Sequence, residues 1–368
     1  MKHYFIINPA AGKNKTTHDL MSKIISAGNA ENVDFKIYET KARGDATRYV
    51  QAKCEADPEE TLRFYACGGD GTLNEVINAA VHFPNAEVGV VPVGTGNDYI
   101  KNFSCTKHFM NMKRQICGKP VKIDLIKFNG RYCANVLNVG FDCSVVRKMA
   151  HFRRNPLVPN KFAYAGGIVS ALVEEYGSTF RLTIDDEETI EKEFLLAAFG
   201  KGSFYGGGFK ALPLTIADDG YLDACVATKI LRRDFIKCVG KYKKGEHLDL
   251  DFITYKKCRK VRLESDEPIG VCADGEITME TCVDIEVAPL ALTFSVPDGC
   301  ELTALSDKTN DIPVTEDIAE ETEANETDYE IDDEIVPETI AIDCTENEDG
   351  DSETSEEQAT DYDYQEVK

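Results

Sequence analysis

The sequence lacks any apolar run approaching the ~18 residues that a bilayer-spanning helix requires, so contact with a membrane is expected to be peripheral. Its 13 cysteines, scattered from Cys54 to Cys344, include no CxxC pair and no regular spacing, which argues against a disulfide framework and places the chain in a reducing cytoplasm. The opening MKHYFIINPAAG has no charged segment followed by a secretory apolar stretch. Two common phosphate motifs are also missing. AAGKNKTT has the lysine and threonine of a Walker loop, but the first glycine would fall at Ile7, and neither GGDGTLN nor GTGNDY has the spacing GxGxxG.

What is present divides into unlike parts. Of 65 acidic residues, 24 lie between Thr309 and Lys368 with a single basic one, Lys368. The formal charge of −24 therefore belongs to the tail, and the first 308 residues carry 41 acidic against 40 basic side chains. The folded part is therefore nearly neutral, and no nucleic-acid partner is expected. The tail has scattered Ile, Val and Tyr without a period of 2 or 3.6, so it cannot bury enough surface to offset its ordering entropy, and 306–368 is read as disordered. It fits either a solubilising appendage or a regulatory segment. The rest of a 368-residue chain that is 42% hydrophobic suffices for two folded units.

From 1 to 118 strand and helix signals alternate: HYFIIN, the helical TTHDLMSKIISAG with Thr17 as its candidate cap, DFKIYET, the helical GDATRYVQAKCEA, LRFYAC, the helix NEVINAAV starting near Leu73, and EVGVVPV. Repeated β-α-β predicts an α/β domain with a parallel sheet, whose ligands gather at the carboxyl ends of strands. From 119 to 305 the texture changes to closely spaced β runs. KIDLIKF and RYCANVLNVGF flank the turn Asn129-Gly130, and TFRLTID, EFLLAAFG, LDACVAT, KVRLES and CVDIEVAP follow, with one amphipathic helix at about 163–176. These predict a mostly antiparallel β-sandwich whose last strands, through LTFSVP, return toward the first domain.

The stretch YACGGDGTLNEV, 65–76, ends a strand at Cys67 and leaves Gly68 to Thr72 to turn into a helix. Such a turn exposes backbone N–H groups at the positive helix terminus, where phosphate oxygens are held. A tight connection with no ligand would have the same composition. A second bend, PVGTGNDYIKN from Pro92 to Asn102, again follows a strand. Two such bends at one sheet edge, each with an aspartate, Asp70 and Asp98, point to a polyphosphate with a divalent cation.

NPAAG at 8–12, GGDGTLNEV at 68–76 and PVGTGND at 92–98, in that order and spacing, resemble the diacylglycerol kinase catalytic family, which includes bacterial lipid kinases and the ceramide and sphingosine kinases. NVGFD (138–142), YGGGFKALPLTIADDGYLD (205–223) and VCADGE (271–276) extend the resemblance to about residue 300. GGDGT alone is shared with NAD kinases and phosphofructokinase-like folds. The resemblance implies a Rossmann-like three-layer first domain, nucleotide between it and the sandwich, and ATP-dependent phosphorylation of a lipid hydroxyl, foremost diacylglycerol to phosphatidic acid. It implies that Asn8, Pro9, Ala10, Ala11, Gly12, Thr40, Gly68, Gly69, Asp70, Gly71, Thr72, Leu73, Asn74, Thr95, Gly96, Asn97 and Asp98 surround ATP, with Mg²⁺ near Asp70 and Asp98 and Asp70 among the catalytic groups. Thr40 reads equally as the N-cap of the next helix.

An alcohol is a poor nucleophile at neutral pH, and phosphoryl transfer is mainly positioning and charge stabilisation, so one group that accepts the hydroxyl proton suffices. CADGEIT offers Asp274 and Glu276, which as i and i+2 on a strand would share one side. The resemblance implies that this pair acts as the acidic unit, without deciding between the two carboxylates. An Asp-Gly hairpin turn is the other reading of the same residues. In TIADDGYLD, the resemblance implies a magnesium site with Asp219 and the Tyr221 backbone as ligands and Asp218 beside them; an acidic β-turn capped by Gly220 is the alternative.

Basic residues cluster in VVRKMAHFRRNPLVPNK, in KILRRDFIKCVGKYKK and in KKCRKVR. Any of these is a solvated face or a peripheral anchor for an anionic leaflet, each Lys or Arg contributing about 1 kcal/mol. The first, with Phe152, Leu157 and Val158 interleaved, is expected to border the lipid entrance. The sandwich also offers an edge for pairing into a homodimer. Other lipid alcohols (sphingoid base, ceramide, polyprenol), NAD as substrate, and a non-catalytic scaffold remain as alternatives.

Overall fold

The computed structural model describes residues 1–11, 14–141, 143, 176–187 and 189–305. Gly12, Asp142, the basic stretch 144–161, the expected helix at 163–176 except Tyr176, and the acidic tail lie outside the described residues.

Strands β1 (Lys2–Ile7), β2 (Asp34–Glu39), β3 (Leu62–Gly68) and β4 (Ala86–Pro92) pair in parallel in the order β2-β1-β3-β4. Their apolar runs are continuous because both faces are covered. Tyr4, Ile6, Phe64, Ala66, Val88 and Val90 face α2 (Asp45–Ala56) and α3 (Asp70–Ala80) through Val50, Cys54, Val76 and Ile77. Alternate residues Phe5, Ile7, Tyr65, Cys67 and Val91 face α1 (Asn14–Ala30) and α4 (Met112–Ile116) through Leu20, Ile24, Met112 and Ile116. The period-2 alternation of strand side chains thus produces three layers, as expected. Two starts differ. Helix α1 begins at Asn14, so Thr17 lies inside its first turn, since nothing in Asn14-Lys15-Thr16 breaks a helix. Helix α3 begins at Asp70, three residues before Leu73, with Gly69 as its cap.

After two 3₁₀ turns, Tyr99–Asn102 and Thr106–Met110, the remaining strands are β5 (Lys119–Phe128), β6 (Arg131–Cys133), β7 (Val136–Gly140), β8 (Ser178–Ile184), β9 (Ile190–Gly200), β10 (Leu222–Thr228), β11 (Ile253–Cys258), β12 (Lys260–Ala273) and β13 (Glu276–Val296). All their mutual pairings are antiparallel. Leu222, Ala224 and Val226 turn into a core with Phe180, Phe194, Leu263 and Ile285, while Cys225 and Ala227 face α5 (Arg232–Lys244) through Phe235 and Tyr242. This is the C-terminal β-sandwich. β13 spans 21 residues and pairs with β12 from Glu276 to Glu286, with β5 between Ile285 and Val296, and with β4, in parallel, at Thr293 and Phe294. One strand therefore joins the parallel and antiparallel parts into a continuous sheet and fixes β4, whose carboxyl end carries a Gly-rich bend, relative to the Asp274-Gly275 turn that precedes β13. Among the described residues no helix is long and apolar enough to cross a membrane.

Candidate active site

The carboxyl ends of β1, β2, β3 and β4 lie side by side, and the residues that follow them are joined by hydrogen bonds. Asn8 N donates to Cys67 O (3.0 Å), Thr40 N to Ile7 O (2.9 Å), and Asn8 Nδ2 to Thr72 Oγ1 (3.1 Å). Asn8 Oδ1 also accepts from Ala10 N (3.0 Å), an Asx turn that shapes Pro9 to Ala11 at the rim. Thr40 is not a helix cap; that place is Gly44, in the left-handed region at φ 77.

The two Gly-rich bends pack against each other. Val93 N and Gly94 N both donate to Gly68 O (3.0 and 3.2 Å), and a Cβ on Gly94 would lie 2.4 Å from Gly69 Cα. The side chain of Thr72 lies over Gly68, where a Cβ would stand 2.2 Å from its Oγ1. Leu73 turns into the core with Val76 and Ile77, so only its backbone belongs to the bend. In the second bend Asn97 takes φ 51 and its Nδ2 donates to Gly94 O (2.8 Å), while Thr95 is exposed. A Cβ at Gly96 would stand 2.8 Å from Asp70 Oδ2. The first N–H groups of α3 point out of this edge with the positive end of the helix dipole behind them.

Asp70 is half-buried there. Burial, then the charges of Asp98 and Asp274, push its carboxyl up to about 6, against the amides of Tyr99 and Asn97 that donate to it. Buried Asp98 is held by Lys101 Nζ (2.6 Å) and Gly207 N (2.9 Å). Asp70 offers a hard oxygen donor of the kind a divalent cation takes, while Asp98 is engaged by Lys101, and the described residues hold no group of three or more candidate metal ligands.

Asp274 and Glu276 both reach α3, one turn apart, though not by strand pleat. Asp274 (φ 47) and Gly275 (φ 87) form the two-residue turn between β12 and β13, which replaces the expected period-2 geometry: the left-handed backbone, not a shared strand face, sets the two directions. Asp274 Oδ1 accepts from Asn135 N (3.1 Å) and Cys133 Sγ (2.9 Å), and Oδ2 from Ala134 N (2.9 Å) and Asn74 Nδ2 (3.3 Å). Burial and the neighbouring Asp274 drive the Cys133 thiol far up, so it stays a donor. Glu276 instead has a side chain 38% exposed, paired among the described residues at its Oε2 with the exposed Arg43, and its Oε1 lies 3.3 Å from where a Cβ on Gly71 would be.

Several contributors were not singled out in the sequence. Asn135 links β6 and β7 to the rest: its amide holds Asp274, its O accepts from Lys201 N and Gly202 N (both 3.0 Å), and its Nδ2 donates to Phe204 O (2.5 Å). Asn102 Nδ2 reaches Asn135 Oδ1 (3.1 Å) and its Oδ1 accepts from Ser203 N (2.8 Å). Two buried amides in otherwise apolar surroundings were the available signal. The oxygens assigned to a magnesium site in the second domain, Asp219 Oδ1 and Tyr221 O, lie 2.7 and 2.6 Å from Lys201 Nζ, with half-buried Asp218 beside them. As they stand, those donors do not fit a metal ion.

A model of the diacylglycerol kinase catalytic domain matches residues 2–128, and one of the YegS C-terminal NAD kinase beta sandwich-like domain matches 135–296. Two Staphylococcus aureus proteins, from strains MSSA476 and Newman, each named "Putative lipid kinase", are 28% identical over 295 residues, 78% of this chain and 91% of theirs. A solved structure of a Bacillus anthracis str. Sterne diacylglycerol kinase superimposes with a TM-score of 0.60 at 23% identity, over 81% of this chain and 97% of that one, and so shares the fold. Matched across both halves, the chain belongs to the diacylglycerol kinase catalytic-domain family.

Proposed function

We propose that this kinase transfers the γ-phosphoryl group of ATP to the hydroxyl of diacylglycerol, giving phosphatidic acid. One observation carries the reading: the mutual contact of Gly69 and Gly94 sets two main-chain cradles at adjacent strand tips, with Glu276 against the first turn of α3. Amides of those bends would receive phosphate oxygens, and Asp70 with Asp98 would hold the accompanying magnesium, which would supply charge neutralisation at the transferring group.

Of the two acidic candidates, Glu276 is the better proton acceptor. All the acceptor directions of Asp274 are engaged by donors, so it is an anchor for 133–135. Glu276 keeps an oxygen toward the cradle and is tethered by a surface ion pair, which moves at little cost. As the acceptor oxygen attacks the γ-phosphorus, Glu276 takes the hydroxyl proton.

The lipid is reached by peripheral contact through α5. Arg233, Ile236, Lys237, Lys241 and Lys244 are exposed along one face, with Leu231 59% exposed at its start. The expected entrance at 147–161 lies outside the described residues.

The test is incubation with γ-labelled ATP and a total lipid extract, followed by mass spectrometry of labelled products. Labelled phosphatidic acid is the expected result. A labelled sphingoid base, ceramide or polyprenol would move the assignment to another lipid alcohol; label in NADP from added NAD, or in nothing, would overturn it.

A further inference from the structure

Lys201 follows β9 directly, and its side chain is 1% exposed. Its ammonium has three N–H donors and three acceptors around it: Tyr221 O at 2.6 Å, Asp219 Oδ1 at 2.7 Å and Asp124 Oδ2 at 3.0 Å. Asp124, on β5 and wholly buried, also accepts from Leu290 N at Oδ1 and from Gly220 N at Oδ2 (both 2.8 Å). Leu290 stands at φ 48 where the β13 register against β5 shifts, between Ala288 and Leu292. Asp219 accepts in addition from Tyr221 N (3.1 Å) and pairs with Lys257. Burial opposes ionisation of Asp219, yet Lys201 and Lys257 hold its carboxyl below the usual range.

Two carboxylates thus face two ammonium groups, with buried Asp223 on β10 opposite Lys257 as a third acidic neighbour. A magnesium ion needs near-octahedral oxygens at about 2.0–2.1 Å and keeps several waters. Here the oxygens surround a nitrogen at N–H···O distances. A divalent ion at these oxygens would have to displace the ammonium of Lys201, whose side chain is 1% exposed, and leave that charge buried without its acceptors, which is strongly unfavourable.

We propose that Lys201 is a built-in cation: its ammonium fixes the acidic loop 217–221 to β5 and the β13 bulge, so the order of this loop requires no metal. The consequence extends to the active site, because the backbone amides of Lys201 and Gly202 hold Asn135 O, and the Asn135 amide holds Asp274. Magnesium dependence of the enzyme then comes from the nucleotide alone. The inference is independent of which alcohol is phosphorylated, and its readouts do not involve catalysis.

Thermal unfolding of the full chain without nucleotide, in chelator and in millimolar Mg²⁺, tests it. The expected result is a wild-type Tm that does not differ between the two, and a Lys201→Ala Tm lower by about 10 °C in chelator. A wild-type Tm that rises with Mg²⁺ and loses the rise on Asp219→Asn would overturn the proposal, as would a Lys201→Ala variant as stable as the parent. Should Lys201→Ala fail to fold, electron paramagnetic resonance of Mn²⁺ added to wild type and to Asp219→Asn decides. Equal uptake supports the internal cation, and an ion bound by wild type but lost in Asp219→Asn refutes it.

Discussion

The Cα atoms of Gly69 and Gly94 approach so closely that a methyl group on Gly94 would stand 2.4 Å from Gly69 Cα and 2.9 Å from its nitrogen. Neither atom belongs to a flexible side chain that could yield. The two bends therefore hold their relative position only while Gly94 has no side chain.

Gly94→Ala should push the bends apart by the order of an ångström and lower kcat/KM for ATP about 100-fold. Gly240→Ala is the comparator, because Gly240 lies in α5 with nothing within 4 Å of a Cβ; it should leave activity unchanged and add about 0.5–1 kcal/mol of stability. Steady-state kinetics beside a thermal melt reads both. Equal activity of the two variants would remove the paired cradle from the mechanism.

Asp70 gives a pH dependence of definite sign. Its carboxyl is raised from the ordinary aspartate value of 3.8 to about 6, so the folded state binds the proton more tightly than the unfolded chain. The stability that protonation confers is complete below pH 4 and lost as pH climbs through 6. Asp70→Asn removes this loss: above pH 7 it should be more stable than wild type, by as much as about 3 kcal/mol and less where water screens the group, and below pH 4 no different. Activity should be abolished at all pH values. Denaturant melts from pH 3.5 to 8 check the slope, and parallel curves for the two proteins would contradict the assignment of burial and neighbouring charge.

Asp274→Asn and Glu276→Gln separate anchoring from proton transfer. Asn at 274 turns an NH₂ group toward donors that need an acceptor, so it should cost about 1–3 kcal/mol and lower the Tm. Glu276→Gln touches an exposed side chain, should leave the Tm and ATP binding in place, and should cut kcat by 10²- to 10⁴-fold. If instead Asp274→Asn kept its Tm while losing only kcat, the two roles would have to be exchanged.

What the chain discloses in advance follows from how local each signal is. The layers were legible because β1, β3 and β4 are short apolar runs separated by helical spacing, and the bends because glycine at 68, 69, 94 and 96 has few other uses directly after a strand. Helix α5 passed as a basic cluster, although Phe235, Val239 and Tyr242 recur at i, i+4 and i+7 and Gly245 closes it at φ 78. Its many lysines obscured that stripe. Lys201 was invisible for a different reason. Its three acceptors come from residues 124, 219 and 221, brought together by strand pairing alone, and a lysine after an apolar strand ordinarily points to water. In the sequence the Asp-Gly turn and the acidic pair are alternative readings of 274–276; the structure has the turn, and the turn is what aims Asp274 at Asn135 and leaves Glu276 toward Gly71.

The exposed face of α5 predicts how the protein meets its substrate. Lys237, Lys241 and Lys244 recur at i, i+4 and i+7 on the solvent side; Lys237 has a 3.4 Å contact with Asp234, a surface pair of little strength. Near an anionic leaflet each contributes about 1 kcal/mol, so replacing all three by Glu should weaken binding to phosphatidylserine-containing vesicles by at least 100-fold. The attraction acts over roughly 8 Å at physiological ionic strength, so the wild-type advantage should shrink as salt is raised. ATP affinity and the Tm should stay close to wild type, since the buried side of the helix, Phe235 and Tyr242, is untouched. Vesicle sedimentation with a parallel nucleotide titration measures both, and undiminished sedimentation of the triple variant at low salt would exclude α5 as the docking face.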